Sequence, residues 1–406
     1  MSDTAANTAP LMAHDAWAQL GWPSPRLEAW RYFPLRAFEG RDPGASQAPA
    51  AMPVATSDAD SSAWTIINGR VHTELSPAIQ AGGLVSVHAH GDVTPGAVGP
   101  TGAWADGLEA ANAAFGHETI VVEVPQNAKI KEPIRIVVMS LGAGFSHPRL
   151  ALRLGAGAEA TVIVEYRSEG EVFTNVVTSV VLGADATLQH AIIIADDTRA
   201  CHVEHIDAQL GRGASWRAFT ATARGGAART AAHVHLLGEA AEAVVDGIYM
   251  PTGQSRFDHF IDFDHAAART ISHATWAGAI DQRATGTFLG RVRIGAQIKD
   301  CKSRQLTRSL LLSPTATANA KPELHIDCDE VEASHGATIG QLDPRQLFYL
   351  ISRGLEPVVA RDMLIHAFIR DAIARAPEGA QPIIAAALGL DHDANETEFA
   401  GDLGDA

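Results

Sequence analysis

Residues 154–162 read "LGAGAEATV", and the same Leu-Gly opening returns in "LGADATLQH" (182–190), "LGRGASWRA" (210–218) and "LGEAAEAVV" (237–245). The four leucines lie 28, 28 and 27 residues apart. Leu289-Gly290 follows 52 residues after the last of them, which is close to two further periods. Glycine at the same place in each unit indicates a recurring turn. A constant sequence period of this size indicates stacked structural units.

The segments between these turns are rich in strand-forming residues. Runs such as "ATVIVEY", "VFTNVVTSVVL" and "ATLQHAIII" combine β-branched residues with Gly, Asp or Asn at their boundaries. A propeller blade requires a longer period, roughly 40 residues or more, and a β-sandwich does not require a constant period. The pattern therefore favours a β-helix, or β-solenoid, in which each coil buries its apolar face against the next.

The repeats and their flanks divide the chain into five parts, and we expect a mainly β protein. Open sheet edges invite pairing with other strands, so the two helical regions are expected to cover the ends of the β-helix. The linker is dominated by Gly, Pro, Ala, Ser and Asp, and the tail is acidic and is expected to be disordered. The parts are an N-terminal helical region (1–40), a flexible linker (41–63), the β-helix core (64–342), a C-terminal helical region (343–390) and the acidic tail (391–406).

The C-terminal helical region carries clear boundary signals. Asp343 is a suitable N-cap, Pro344 a suitable first helical residue, and Gly354 a suitable stop. A second helix is predicted in "EPVVARDMLIHAFIRDAIARA" (356–376). Its apolar face is predicted to consist of Met363, Leu364, Ala367 and Phe368.

The composition argues against several classes of protein. The 406 residues include 31 Lys and Arg against 47 Asp and Glu, a formal net charge of −16, which opposes a nucleic-acid function. The aromatic and basic stretch "RLEAWRYFPLRAFEG" (26–40) is therefore expected to pack on a neighbouring region rather than to stack bases. No apolar run approaches the roughly 20 residues that cross a bilayer. The absence of an N-terminal signal peptide pattern predicts a cytoplasmic protein without membrane partners.

Two groups of polar residues in the repeats could carry chemistry. His233 and His235 would share one face of a strand, where they could hold a metal or form polar pairs between coils. Asp258, Asp262 and Asp264 would also share a face. Clustered carboxylates in a β-helix suit an enzyme acting on acidic polysaccharide, with or without calcium, although a turn rich in Asp explains them too. We carry that enzyme as the alternative function, and a purely structural solenoid as a third class.

His335 lies in "SHGATIG" (334–340), after the last obvious strand-like run and before the C-terminal helices. Its small neighbours leave the imidazole room to bind iron or zinc. A turn histidine that bonds backbone carbonyls explains the local sequence equally well. A catalytic base is disfavoured because no nucleophile or acid accompanies it. The sequence also has no G-x-S-x-G elbow and no Walker-type loop, so the chain is not expected to hydrolyse ATP itself.

The segment "KPELHIDCDEVEASHGATIGQLDPRQLFYLISRGL" (321–355) resembles the hallmark segment of the SufB/SufD family of iron–sulfur cluster assembly scaffolds. Further motifs follow in the family's order: "RLEAWRYFPL" (26–35), "FDHFIDFDHAAARTISHATWAGAI" (257–280) and "LGRVRIGAQIKDCKSRQLTRSLLLSPTA" (289–316). Together the resemblance covers most of residues 26–370. The chain is more similar to the D-type subunits, because it lacks the longer, cysteine-bearing N-terminal region of the B type.

The resemblance implies a right-handed parallel β-helix between helical regions. It implies a non-catalytic scaffold subunit with a role in iron acquisition and cluster assembly. Its partners would be a SufB-like subunit, paired through the β-helix ends, and a SufC-like ABC-type ATPase, docked on residues 344–376. An iron–sulfur cluster would form transiently at the interface between the two scaffold subunits, with none held tightly by this chain alone. Without its partner the chain could form a homodimer.

The same resemblance assigns roles to individual residues. The family histidine at the subunit interface matches His335, which would be this chain's ligand to the metal. Many members read C-S-H-G, but Ala333 replaces the cysteine here, so sulfur ligands would come from the partner. The remaining cysteines nearby, Cys301 and Cys328, do not match the motif and are expected to be structural.

Four residues are predicted to form the ATPase-docking surface, because aromatic and arginine side chains often anchor interfaces. For one of them, Phe348, packing within the helical region is an equally ordinary use. The four are Phe348, Tyr349, Arg353 and Arg361.

Overall fold

A computed structural model describes six ranges of the chain: 9–35, 38–44, 46–47, 63–76, 84–89 and 106–390. The predicted acidic tail (391–406) and most of the predicted linker (41–63) lie outside them. In the described part there are five α-helices: α1 Ala9–Leu20, α2 Gly107–Phe115, α3 Pro344–Ser352, α4 Pro357–Ile373 and α5 Gln381–Ala387. None of these helices is both long and apolar enough to span a membrane.

The described residues also form nineteen strands. They are β1 Ser46–Gln47, β2 Ala63–Ile67, β3 Arg70–Val71, β4 Val85–Ala89, β5 Glu118–Val124, β6 Ile134–Ser146, β7 Arg149–Leu154, β8 Glu159–Leu182, β9 Thr187–Ala195, β10 Cys201–Leu210, β11 Ser215–Arg224, β12 Ala227–Leu236, β13 Glu242–Tyr249, β14 Arg256–His265, β15 Ile271–Ile280, β16 Thr285–Ile294, β17 Cys301–Leu311, β18 Thr317–Ile326 and β19 Val331–Gly340.

These strands build a parallel β-helix, as the period predicts. Sheet I consists of β5, β7, the C-terminal half of β8, β10, β12, β14, β16 and β18. Sheet II consists of β6, the N-terminal half of β8, β9, β11, β13, β15, β17 and β19. Each coil contributes one strand to each sheet, and every one of these pairings is parallel. The largest apolar core lies between the two sheets.

The hydrogen-bonded register corrects the repeat that the sequence suggests. Leu210 pairs with Leu236, which is fully buried, whereas the neighbouring Leu237 is 47% exposed. Leu289 pairs with Phe260 in the middle of a strand and does not open a coil. The prediction that coils begin at Leu237 and Leu289 was therefore wrong. Coil length varies by a few residues, and the alternation of inward and outward side chains sets the register instead.

In the Leu-Gly motif the glycine occupies the same position in each turn, even where the leucine does not. The N–H groups of Gly183, Gly211 and Gly238 donate to carbonyls of the preceding coil at 2.8–3.0 Å. A Cβ added at Gly238 would collide with the backbone nitrogen of Arg212. Glycine marks the turn because two backbones approach there too closely for a side chain.

The described residues of the flanking regions cover the sides of the β-helix and leave its last coil open, so the expectation that these regions cover both ends was wrong. Residues 22–35, here called the N-terminal segment, place Trp30 and Phe33 in one apolar cluster with Phe173 and Val203 on the outer face of sheet I. The C-terminal helices pack on the outer face of sheet II. Apolar outward side chains on each sheet, such as Phe173 and Phe219, decide this placement because they need covering.

Helix α4 buries a different face from the predicted one. Ile365, Ile369 and Ile373, spaced four residues apart, contact sheet II. Met363 is 48% exposed and Ala367 is exposed, so the prediction that they face the core was wrong. The helix carries two apolar stripes, and only one of them can face the sheet.

Candidate functional site

The last coil of the β-helix is uncovered. Strand β18 pairs with β16 and β19 with β17, and within the described residues no later strand follows on either sheet. All residues of β18 and β19 are exposed or half-buried, in contrast to the preceding coils. The coil therefore presents both its inward-facing side chains and its free strand edges, which are the groups that pair with another chain.

His335 lies in the middle of strand β19, so its interpretation as a turn residue was wrong. Its register partner on β17 is Gln305, and the partner of Ala333 is Ser303. Gln305 and Ser303 are buried in the interior. Register partners in parallel strands point to the same side. His335 and Ala333 therefore face the interior of the β-helix, at the point where the interior opens to solvent.

Charged pairs surround this open end. Lys302 on β17 bonds Glu332 on β19 at 3.0 Å. On the other sheet, Lys321 of β18 pairs with Glu323 at 2.6 Å and with Glu28 of the N-terminal segment. Hydrogen bonds from Lys321 and Arg291 lower the pKa of the Glu323 carboxyl, so it stays ionised. The rim of the open end is polar, and the interior-facing positions within it are mostly small or apolar.

The cysteines differ in their surroundings. Cys301 is buried, and its Sγ lies 3.2 Å from the hydroxyl of Thr270. Cys201 is buried under the N-terminal segment, and burial raises the pKa of its thiol well above the usual value. Cys328 lies in the loop between β18 and β19, is half-buried, and accepts a hydrogen bond from the Glu330 N–H at 3.4 Å. Cys328 is therefore the one thiol of the three that lies at the open end.

Helix α3 begins as predicted, because the Asp343 carboxylate accepts a hydrogen bond from the Arg345 N–H at 2.8 Å. None of the helix's residues is buried, although one face is strongly apolar. Phe348 is 73% exposed and Tyr349 is 56% exposed. Packing of Phe348 within the helical region, the ordinary alternative, is contradicted by this exposure.

Exposed apolar side chains of α3 and α4 belong to one region of the chain, here called the α3–α4 surface. The sequence analysis missed half of them, although the second apolar stripe of α4 was a usable signal. An apolar group of this size on a protein surface usually marks an interaction site. The surface comprises Phe348, Tyr349, Ile351, Val358, Val359 and Met363.

The two predicted docking arginines have different positions. Arg353 places its guanidinium 5.2 Å from the centre of the Tyr349 ring, a cation–π distance. Arg361 donates a hydrogen bond to the Leu312 carbonyl at 3.0 Å and so ties α4 to the end of β17. Arg353 belongs to the α3–α4 surface, whereas Arg361 already has a structural contact.

The histidine pair of the repeats is occupied by ion pairs between coils. His233 and His235 share one face of β12, as predicted, and that face points outward. His235 lies between Asp207 at 3.2 Å and Asp264 at 3.7 Å. Its hydrogen bonds to these two carboxylates raise the pKa of His235 to about 9. His233 lies 3.4 Å from Asp262. Across the described ranges, no three His, Cys, Asp or Glu side chains are arranged to hold a metal ion.

The third carboxylate of the predicted cluster is enclosed. Asp258 forms a buried ion pair with Arg229, whose guanidinium lies 4.4 Å from the centre of the Trp30 ring. Burial outweighs the arginine and raises the pKa of Asp258 to about 6. Asp262 is also buried, within 3.2 Å of Arg293. These carboxylates hold the coils and the N-terminal segment together.

Fold and surface together define a parallel β-helix protein with an uncovered last coil and an exposed apolar helix beside it. The profile of the SUF system FeS cluster assembly, SufBD core domain, matches residues 137–368. The chain belongs to this SufBD family.

Relatives extend the similarity beyond the core domain. The chain is 28% identical to an iron–sulfur cluster assembly SufBD family protein of Mycobacterium leprae, over 93% of this chain and 91% of the relative. It is 24% identical to the iron–sulfur cluster assembly protein SufD of Escherichia coli, over 86% and 84%. It is also 29% identical to the chloroplastic protein ABCI7 of Arabidopsis thaliana, over 64% and 57%.

Proposed function

We propose that this chain is a non-catalytic scaffold subunit of an iron–sulfur cluster assembly complex, in which it pairs with a SufB-like subunit and docks a SufC-like ATPase. Membership of the SufBD family supports the assembly role in general terms. The proposed pairing and docking are supported by one observation, the uncovered last coil, which has His335 on its inward side and the α3–α4 surface beside it.

The SufB-like subunit pairs with the free edges of β18 and β19. A partner strand added to these edges satisfies backbone groups that have no neighbour within this chain's described residues. It also covers inward-facing apolar residues such as Leu324 and Val331, which are only half-buried here. In the absence of that partner, a second copy of this chain can use the same edges, which would give a homodimer.

His335 supplies this chain's ligand to the iron that the complex assembles into a cluster. Iron here is cargo, and a single imidazole holds it only weakly, which suits transient binding. Ala333 brings no thiolate to the site, so sulfur ligands come from the partner subunit. Among the described residues, His335 belongs to no group of three or more His, Cys, Asp or Glu side chains that could hold a metal ion, which is consistent with a site completed by another chain.

The SufC-like ATPase docks on the α3–α4 surface, with Phe348 and Tyr349 as aromatic anchors and Arg353 beside them. The ATPase supplies the hydrolysis for which this sequence has no motif. Arg361 contributes indirectly, since its bond to the Leu312 carbonyl holds α4 in place.

Anaerobic co-expression with B- and C-type subunits tests the proposal. His335→Ala should leave the complex intact and lower its cluster absorbance several-fold, because a metal ligand is lost. His325→Ala is the matched control, since His325 is an exposed histidine on the outward side of β18. Unchanged absorbance in a stable His335→Ala complex would remove His335 from this role, and failure to form any complex would overturn the scaffold function.

The alternative, an enzyme acting on acidic polysaccharide, has less support. Its predicted carboxylates Asp258 and Asp262 are buried in ion pairs with Arg229 and Arg293. Such carboxylates are not free to act as acid and base on a sugar. Depolymerisation of a polyuronate by the purified chain would reverse this ranking.

A further inference from the structure

Helix α3 carries positive charge in a chain whose net charge is strongly negative. The helix and its C-cap residue contain Arg345 and Arg353 and no Asp or Glu, whereas the whole chain has a formal net charge of −16. Both arginines are exposed, and none of the residues of the helix is buried. The helix therefore presents cationic and apolar groups together to the solvent, where a partner can reach them.

The side chains of both arginines lack an acidic partner. Neither forms an ion pair within the part of the chain that the structure describes. Arg353 lies over the Tyr349 ring, and this contact leaves its guanidinium N–H groups without a carboxylate. By contrast, Arg212 on a turn of the β-helix is also exposed and pairs with Asp185 of the preceding coil at 2.7 Å. The charges on α3 are thus available to carboxylates of another molecule.

The stability of the helix does not account for Arg345. Helix α3 begins at Pro344, so Arg345 lies in its first turn, where the helix dipole disfavours a positive charge. The Asp343 carboxylate accepts a hydrogen bond from the backbone N–H of Arg345 rather than from its guanidinium. Arg353, at the opposite end of the helix, is favoured by the same dipole. Arg345 is therefore the stronger indication of a charged contact with another molecule.

The two arginines flank the exposed aromatic side chains of α3. Arg345, Tyr349 and Arg353 are spaced four residues apart, so they follow one another along one face of the helix. Phe348 comes three residues after Arg345 and lies beside the same face. Eight residues of helix place the Cα atoms of the two arginines about 12 Å apart. The exposed face thus has an aromatic centre with a positive charge at each end.

We propose that the SufC-like ATPase receives α3 in an apolar groove whose rim carries acidic side chains opposite Arg345 and Arg353. This inference rests on the proposed docking of that ATPase at the α3–α4 surface, and it adds the chemistry of the partner's face. Phe348 and Tyr349 fill the groove, and the arginines pair with carboxylates at its two ends. Complementary charges of this kind raise the association rate and disfavour partners whose face is basic.

Calorimetric titration of the purified full chain with the SufC-like ATPase, at salt concentrations from about 50 to 500 mM, tests these charges. Binding of the wild-type chain should weaken several-fold across this range, because salt screens exposed charge pairs. Arg345→Gln and Arg353→Gln should each weaken binding up to about fivefold at the lowest salt concentration and reduce the salt dependence. Arg345→Lys keeps the charge, so its salt dependence should stay close to that of the wild type.

Arg283→Gln is the matched control, because Arg283 is an exposed arginine on the turn between β15 and β16 and forms no ion pair among the described residues. This variant should bind like the wild-type chain. Thermal unfolding of every variant should match that of the wild type, since the substituted side chains are exposed. Binding that is insensitive to salt, or Arg345→Gln and Arg353→Gln variants that bind like the control, overturns the inference and leaves the docking function standing. A wild-type chain that does not bind the ATPase at any salt concentration overturns both.

Discussion

Buried imidazoles are concentrated in the interior of the β-helix. Burial lowers the pKa of His190 to about 4, that of His259 to about 3 and that of His265 to about 4. His265 bonds Thr270 and Ser272, whereas His259 packs its ring 4.3 Å from that of Trp276. All three stay neutral in the folded chain at physiological pH, and their protonation favours the unfolded chain.

We predict that the stability of the chain depends on pH through His259. Between about pH 3 and 6.5 the unfolded state binds a proton at this residue that the folded state does not, so the free energy of unfolding rises with pH. His259→Leu should reduce that slope by about 1.4 kcal/mol per pH unit within this window. Chemical denaturation from pH 4.5 to 7 measures it.

The matched control is Phe288→Leu, which changes the register partner of His259 and adds no titrating group. It should shift the free energy of unfolding equally at every pH. Asp246 and Asp258, whose pKa burial raises to about 6, act in the opposite direction below pH 6 and reduce the total slope. An identical slope in wild type and His259→Leu would show that His259 protonates alike in both states.

Among the elements of the fold, one turn recurs in every coil with the same backbone conformation. One residue in each turn has a positive φ, and its N–H donates to a carbonyl of the next coil. Glycine fills some of these positions, and other residues adopt the left-handed conformation at a cost of about 1–2 kcal/mol. The series is Asn127, Gly157, Asp185, Gly213, Ala240, Arg269 and Asp300.

We predict that Ala240→Gly stabilises the chain. Ala240 has φ +59° and stands where Gly213 stands in the preceding coil. Relief of the strained backbone outweighs the extra freedom of glycine in the unfolded chain, so unfolding should require up to about 1 kcal/mol more free energy. Urea denaturation measures the difference. Ala241→Gly, at the adjacent buried position, should destabilise instead, and a destabilised Ala240→Gly would contradict the argument.

At the scale of the whole molecule, the flanking regions cover the surface of the β-helix unevenly. The N-terminal segment lies on sheet I, and the C-terminal helices lie on sheet II. Ion pairs between Arg308 and Asp371 and between Arg375 and Asp246 hold the C-terminal helices to sheet II. The N-terminal segment touches the last coil on its outer side, through the Glu28–Lys321 ion pair. Within the described ranges, the outer faces of both sheets are thus covered, whereas the last coil leaves its end open beside the α3–α4 surface.

We predict that Phe348→Ser combined with Tyr349→Ser abolishes binding of the SufC-like ATPase and leaves the fold intact. Both side chains are mostly exposed, so the free energy of unfolding should change by less than about 0.5 kcal/mol. Each aromatic anchor contributes about 2 kcal/mol or more to a typical interface. Calorimetry of binding and thermal unfolding measure the two effects. The control is Leu237→Ser, an exposed apolar residue on the turn between β12 and β13, and loss of binding in that variant would contradict the assignment.

Much of the fold follows from local sequence. The β-helix could be predicted because each coil repeats the same turn and the same alternation of apolar residues, and these depend on neighbours along the chain. The start of α3 could be predicted because Asp343 caps it with its own carboxylate. The family motifs identified His335 as the candidate ligand before its surroundings were known.

Tertiary structure decided the remaining features, because they depend on residues far apart in the chain. The direction of His335 follows from its register with Gln305, which is set by the whole stack of coils. Contact with sheet II decides that the stripe of α4 containing Ile365 is buried and that the stripe containing Met363 is exposed. The sequence of the last coil likewise does not reveal that its end is open, since that depends on where the flanking regions find apolar surface to cover.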